Sequence, residues 1–190
     1  MKSTFRPALV LFAMLTLICG VLYPYAVTGI GKVAFSSQAD GSLVTRDGQV
    51  VGSSLIGQAF TSPQYFWSRP SATGPMPNNA SASGGSNLGP TNPALADAVK
   101  SRVDALKAAD PTNTAAIPVD LVTASSSGLD PDISIAAAYY QIGRIARERK
   151  MATEEVKALI DKNSQTPYLG FFGEPRVNVL ALNLALDQRH

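Results

Sequence analysis

The stretch from Ala8 to Gly31 reads ALVLFAMLTLICGVLYPYAVTGIG, and its 24 residues include no charged side chain. As an α-helix it would extend about 36 Å, which exceeds the bilayer hydrocarbon thickness of about 30 Å. We therefore expect a transmembrane helix over residues 8–31. Tyr23 and Tyr25 favour the headgroup zone at its far end, and Pro24 predicts a kink or an end of the helix there.

The charges around this stretch predict its orientation. Lys2 and Arg6 precede it, and Lys32 follows it. The positive-inside rule then places residues 1–7 in the cytoplasm and residues 32–190 outside as one extracytoplasmic domain. A cleaved signal peptide is the alternative, because a basic start and an apolar run fit both. The sequence YAVT at residues 25–28 offers no A-x-A cleavage site, which favours an uncleaved anchor.

The charge balance argues against a role in nucleic-acid binding. The 190 residues carry a net charge of +2, and only 16% of them are charged, compared with about 25% in ordinary soluble domains. Without the three basic residues that flank the apolar stretch, thirteen basic residues face fourteen acidic ones. The predicted domain is therefore near neutrality, whereas nucleic-acid binding needs a clustered basic face.

Cysteine and histidine usage excludes several classes of chemistry. Cys19 is the only cysteine and His190 the only histidine. One sulfur builds neither an intrachain disulfide nor a multi-cysteine metal site, and we predict no metal site. A Ser-His-Asp device needs an imidazole that packing holds in place, which we do not expect of the last residue.

The remaining pattern predicts an α+β domain with a small sheet and several helices. Asp47-Gly48 between β-branched runs predicts a hairpin, and strands are expected near 42–46, 49–52, 55–60 and 117–125. Helices are expected over 93–108 from the Asn92 cap, from Ser134, from Thr153, and over 174–187, where a buried strand is the alternative. Arg144, Arg147 and Arg149 are expected to complement the dipole at the end of the Ser134 helix.

Three aspartates form an acidic cluster outside the predicted helices. Asp120, Asp130 and Asp132 suit acid–base chemistry or cation binding. They also suit turn chemistry, in which each carboxylate accepts from nearby backbone N–H groups. The turn interpretation is favoured, and no catalytic residue is assigned.

A long loop from Ser71 to Pro93 lacks any periodic apolar face, which is typical of functional or mobile loops. Within it, GGSNLGPT at Gly84 to Thr91 has the spacing of a phosphate cradle, but Pro90 stands where the lysine belongs. Before it, Tyr65, Phe66 and Trp67 adjoin a guanidinium, a combination found in cores and at interfaces. The candidate partner contacts are Arg69, Gly84, Gly85, Asn87 and Asn92; turn and capping roles explain the same residues.

Four segments together resemble the C subunit of the bacterial high-affinity potassium-transporting P-type ATPase, the Kdp system. They read YFWSRPSAT (Tyr65–Thr73), ASGGSNLGPTNP (Ala82–Pro93), VDLVTASSSGLDPDIS (Val119–Ser134) and GEPRVNVLALNLALD (Gly173–Asp187). Asp132 departs from the family pattern, because this position is often held by histidine or asparagine. The departure argues against a metal or catalytic role at position 132.

The resemblance implies a non-catalytic subunit in the bacterial inner (plasma) membrane. Its expected partners are a channel-like potassium-translocating subunit, an ATP-hydrolysing subunit, a small membrane peptide and the lipid bilayer. In such a complex the subunit stabilises the assembly and has been proposed to raise the ATP affinity of the hydrolysing subunit as a catalytic chaperone. No firmly bound cofactor is expected, and direct contact with ATP stays open.

Two alternatives come from other functional classes. A membrane-anchored exported binding module would use the 71–93 loop and predicts a monomer with a small ligand. An exported enzyme would use Asp120, Asp130 and Asp132, and it predicts lost turnover in Asp130→Asn. Co-purification with large membrane subunits distinguishes the accessory subunit from both.

Overall fold

The computed structural model describes residues 4–189, and the chain divides into two compact units, Met1–Val51 and Gly52–His190. The charge of Lys2, which contributes to the predicted orientation, and the single histidine, His190, lie outside the described residues.

The first unit begins with one continuous helix from Phe5 to Ala34, long and apolar enough to cross a membrane. It comprises α1 (Phe5–Leu17), a π-helical turn (Ile18–Leu22) and α2 (Tyr23–Ala34). None of its apolar side chains is buried. The predicted helix is confirmed, and it does not end at Pro24. The π turn lies one residue before this proline, whose missing N–H removes one hydrogen bond of the regular ladder.

A short helix and a hairpin follow. They are α3 (Ser36–Ala39), β1 (Leu43–Arg46) and β2 (Gln49–Ser53), with β1 and β2 paired in a two-stranded sheet. Asp47 and Gly48 have φ angles of 51° and 76°, and left-handed conformation at both central positions is what the tight hairpin turn needs. The predicted hairpin is confirmed.

The second unit packs helices against a three-stranded antiparallel sheet of order β3-β5-β4. Its elements are α4 (Pro93–Ala109), β3 (Asp132–Ser134), α5 (Ile135–Tyr140), α6 (Ile142–Arg149), α7 (Thr153–Asn163), β4 (Ser164–Gln165), β5 (Arg176–Asn178) and α8 (Val179–Asp187). Register pairs Ile133 with Val177, and both side chains are fully buried. Around them the core includes Phe66, Ile145, Val156, Ile160, Leu182 and Leu186.

Two predicted strands are wrong. The 55–60 segment is irregular because Gly57 donates to the carbonyl of Leu129 at 2.8 Å, not to a strand. Over 117–125, Pro118 begins a 3-10 turn (Val119–Leu121), and the amide of Val122 bonds back to Val119 at 3.1 Å. Local bonds therefore use the donors that a strand would pair.

The predicted helices are present, with altered boundaries. The Ser134 hydroxyl caps α5, as expected, but the helix breaks at Gln141 into α5 and α6. The 174–187 segment combines both of its alternatives: it pairs as β5 and then turns into α8, which Asn178 caps. Residues 71–92 contain one 3-10 turn, Ala80–Ala82, and are otherwise irregular.

Candidate functional site

The segment Tyr65–Thr73, here called the strap, is held by side-chain amides in place of a neighbouring strand. The Phe66 N–H donates to Oδ1 of Asn183 at 2.8 Å, and Nδ2 of Asn183 donates to the Phe66 carbonyl at 3.1 Å. In the same way, the Trp67 N–H donates to Oε1 of Gln141 at 2.8 Å, and Nε2 of Gln141 donates to the Trp67 carbonyl at 3.2 Å. Each amide thus imitates the peptide group of an adjacent strand, and both side chains are buried.

A buried guanidinium reinforces this arrangement. Nη1 of Arg144 donates to the carbonyls of Tyr65, at 3.0 Å, and Pro63, while Nη2 donates to Oε1 of Gln141 at 2.6 Å. The guanidinium lies 4.6 Å from the centre of the Trp67 ring, a cation–π distance. Burial lowers the pKa of Arg144 to about 10, so the side chain remains charged at neutral pH.

Of the three arginines expected to complement the helix dipole, Arg147 and Arg149 lie in the last turn of α6 and Arg144 does not. Arg144 binds the strap, Arg147 pairs with Asp110 at 2.9 Å, and Arg149 pairs with Asp187 at 2.7 Å. Sequence reasoning did not find Arg144 or Gln141 as strap contacts. The only available signal concerned Asn183, one of two asparagines in an otherwise apolar run, because a buried amide needs a specific partner.

Beyond the strap, Arg69 lines a groove of about 680 Å³ together with Asp120, Asp130 and Asp132. Its Nη1 lies 2.9 Å from Oδ2 of Asp130. Asp130 also accepts from the Asp132 N–H at 3.0 Å, and Asp120 accepts from the backbone N–H of Ser134 at 2.8 Å. The structure thus brings the three aspartates together. Asp130 has the local backbone contact that the turn interpretation predicts, Asp120 accepts from a backbone N–H of a more distant segment, and Asp132 bonds to side chains instead.

The lining of the groove includes both acidic and basic side chains. Asp132 lies 2.8 Å from Nε of Arg176, and Nδ2 of Asn178 donates to it at 3.3 Å. Burial raises the pKa of Asp132, and the nearby Arg176 opposes that rise. Glu174 adds a further carboxylate to the lining. Within residues 4–189, no three acidic, histidine or cysteine side chains are grouped to hold a metal ion.

The glycine-rich part of the 71–93 loop packs on the turn that carries Ser126 and Ser127. The Gly84 N–H donates to the Ser127 carbonyl at 2.8 Å, so this amide is not directed at a phosphate. A Cβ on Gly85 would lie 3.1 Å from the Ser126 carbonyl oxygen, so the loop packs closely on this turn. Asn87 is exposed with a φ of 51°, and Asn92 caps α4 through the Ala94 N–H at 3.0 Å.

The four segments that carry the family resemblance adjoin one another. Tyr65–Thr73 bonds to Gly173–Asp187 through Asn183, and to Val119–Ser134 through the Arg69–Asp130 ion pair. The Gly84–Ser127 bond joins Ala82–Pro93 to Val119–Ser134. Pairing of β3 with β5 joins Val119–Ser134 to Gly173–Asp187. The signature segments therefore build one connected set of loops and strands, and three of the four contribute residues to the groove.

Residues 5–188 match the protein family described as KdpC, K+-transporting ATPase, c chain. The chain belongs to the KdpC family. It is 82% identical over 189 residues to the potassium-transporting ATPase KdpC subunit of Janthinobacterium sp. (strain Marseille), with 100% of both chains covered. Identity to the KdpC subunit of Herminiimonas arsenicoxydans is 75%, again over 100% of both chains. For Polaromonas naphthalenivorans (strain CJ2) it is 67%, over 98% of this chain and 95% of the relative.

Membership confirms the resemblance carried by the four segments. The chain is a KdpC subunit of the K+-transporting ATPase complex, and its apolar N-terminal helix fits a membrane-anchored subunit.

Proposed function

We propose that this KdpC chain is a non-catalytic accessory subunit of an ATP-driven, high-affinity potassium importer. The observation that carries this proposal is the use of the groove's charged groups: Arg69 pairs with Asp130, while Asp120 and Asp130 accept from backbone N–H groups of β3. Charged side chains that are bonded within the domain stabilise its surface for assembly, and they are less available for a reaction. The partners are the channel-like potassium-translocating subunit, the ATP-hydrolysing subunit and the small membrane peptide.

The subunit acts at a distance from ATP in this proposal. The domain from Gly52 onward lies outside the inner membrane and braces the outer mouth of the translocating subunit, so its effect on the ATP affinity of the hydrolysing subunit passes through the membrane. In this sense it serves as a catalytic chaperone.

ATP titration of the assembled pump, with and without this subunit, tests the effect. We expect weaker apparent ATP affinity without the subunit, and recovery when the full chain is added back. Unchanged ATP affinity together with an unchanged potassium dependence would contradict the proposal.

A labelling experiment tests the topology separately. In a Cys19→Ser background, a single cysteine replaces Lys107 on α4 or Thr4 before α1, and both positions are exposed. A membrane-impermeant thiol reagent added to intact cells should label the Lys107→Cys chain and leave the Thr4→Cys chain unlabelled. The reverse pattern overturns the orientation, and an intact mass lacking the first 20–30 residues, about the length of a signal peptide, overturns the anchor.

A further inference from the structure

The loop between β4 and β5 exposes a cluster of large apolar side chains. We call Tyr168–Phe172 the aromatic tip; the exposed fractions of Tyr168, Leu169, Phe171 and Phe172 are 74%, 68%, 69% and 58%. From Thr166 to Gly173 the sequence TPYLGFFG contains no charged residue. Apolar groups grouped in this way on a surface mark a contact with a protein or a membrane.

Most N–H groups of the tip are bonded within the loop itself. Tyr168 and Phe172 exchange N–H to carbonyl bonds in both directions at 2.9 Å, and the Gly170 N–H donates to the Pro167 carbonyl at 3.0 Å. The Phe171 N–H donates to the Tyr168 carbonyl at 3.3 Å. A peptide group without a partner costs several kcal/mol in an apolar medium. This closed turn avoids that cost for the N–H groups of Tyr168, Gly170, Phe171 and Phe172.

The chemistry of the tip favours lipid over a protein groove. Phe171 and Phe172 lie with ring centroids 4.2 Å apart, so they form one compact apolar surface. Tyr168 adds a ring with a polar hydroxyl, the kind of side chain that collects at the membrane–water boundary. The tip offers no charged group that would fix its register on a protein partner.

The N-terminal helix supplies the second argument. A chain anchored by Phe5–Ala34 keeps its folded domain tethered to a bilayer, so any contact of the domain with lipid is intramolecular in effect. Only a short segment, α3 and the hairpin, connects this helix to the domain, and tethering of this kind raises the effective concentration of the tip near the bilayer. A small apolar tip then suffices for stable contact, although it would not recruit an untethered domain.

We propose that the aromatic tip inserts into the headgroup region of the membrane that the N-terminal helix spans. This inference rests on the membrane anchoring in the proposed function. The tip would give the domain a second attachment to the bilayer, which limits how far the domain can tilt away from its partners.

Nitroxide scanning of the full chain tests the insertion. In a Cys19→Ser background, Leu169→Cys carries the label, and the chain is placed in nanodiscs of phosphatidylethanolamine and phosphatidylglycerol. The matched control carries the label at Lys107→Cys, an exposed position on α4. We expect collisions with oxygen, relative to those with a water-soluble nickel chelate, to be several-fold higher at 169 than at 107.

Three outcomes would overturn the inference. An equal ratio at the two positions shows a tip in water. Low collision rates with both reagents show a tip packed against protein. A ratio unchanged by Phe171→Asp in the Leu169→Cys chain shows that lipid contact does not depend on the tip. If any of these holds while the labelled chain still co-purifies with the transport subunits, the inference fails and the proposed function stands.

Discussion

Arg144 is the largest fully buried side chain among the described residues. A buried charge is tolerated only where its donors find acceptors, and here two carbonyls, one amide oxygen and the face of Trp67 surround the guanidinium. The strap therefore depends on one side chain from α6 for several of its contacts.

Arg144→Met tests this dependence. We expect the free energy of unfolding to fall by about 2–4 kcal/mol, because each buried acceptor left without a donor costs about 1–3 kcal/mol. Urea unfolding of the full chain in detergent, followed by near-UV circular dichroism, measures the change. Lys107→Met, a similar replacement at an exposed helical position, should change stability by less than about 0.5 kcal/mol. Equal effects of the two variants would refute the role of Arg144.

The partly buried carboxylate of Asp132 predicts a pH dependence. Since its pKa is raised in the folded chain, the folded state binds a proton more readily than the unfolded state does. The stability that this proton contributes is present at low pH and is lost as the pH rises through the raised pKa.

Comparison with Asp132→Asn isolates this effect. As the pH falls from 7 through the raised pKa of Asp132, we expect the wild-type chain to gain stability relative to the variant, which does not titrate at this position. Urea midpoints of both chains across that range measure the difference. A difference independent of pH would show that Asp132 has no such shift.

Two asparagine caps differ in what else they hold. Asn92 caps α4 and is exposed, whereas Asn178 caps α8 while its Nδ2 donates to the Ser54 carbonyl at 3.0 Å and to Asp132. Asn92 therefore acts only on its own helix, whereas Asn178 connects α8 to Ser54 and to Asp132 of β3.

Alanine at each cap separates these roles. Asn92→Ala should cost about 1 kcal/mol, the usual effect of losing a cap, and should leave recovery of the pump complex unchanged. Asn178→Ala should cost more, about 2–3 kcal/mol, because two further hydrogen bonds, each worth about 0.5–1.5 kcal/mol, are lost as well. Both are measured by urea unfolding and by co-purification. Loss of complex with Asn92→Ala at normal stability would instead support the partner contact considered for this residue.

The elements that the sequence predicts well are those specified by neighbours in the chain. The Asn92 cap of α4, the Ser134 start of α5 and the Asp47-Gly48 turn act over a few residues, and all these elements are present. The irregular 55–60 segment depends on Leu129, far along the chain. No local pattern contains that information, so propensity favoured a strand.

The candidate site also combines features that the sequence shows locally with features that depend on distant parts of the chain. Arg69 and the three aspartates stand out by residue type, but their common groove depends on the pairing of β3 with β5 and on the placement of the strap. Gln141 and Arg144 lie in an ordinary amphipathic helix pattern, and only the folded chain places them against Trp67.

At the scale of the whole molecule and its complex, the Arg69–Asp130 pair can be tested by exchange. Arg69→Asp alone places two carboxylates together, so we expect weaker recovery of the pump complex through a disturbed groove. The double variant Arg69→Asp with Asp130→Arg restores opposite charges and should regain recovery. Co-purification with the transport subunits is the readout. A double variant no better than the single one would assign Arg69 to direct contact with a partner.

The side-chain hydrogen bonds that hold the strap also affect how the domain opens locally. A strand within a ladder separates only when its neighbour's backbone moves, whereas Phe66 and Trp67 are released when the side chains of Asn183 and Gln141 rotate. Their amide hydrogens should therefore exchange with solvent through a local fluctuation, at a lower free energy than global unfolding. The edge of the groove that bears Arg69 can therefore open locally during a transport cycle while β3, β5 and the helices packed on them stay folded.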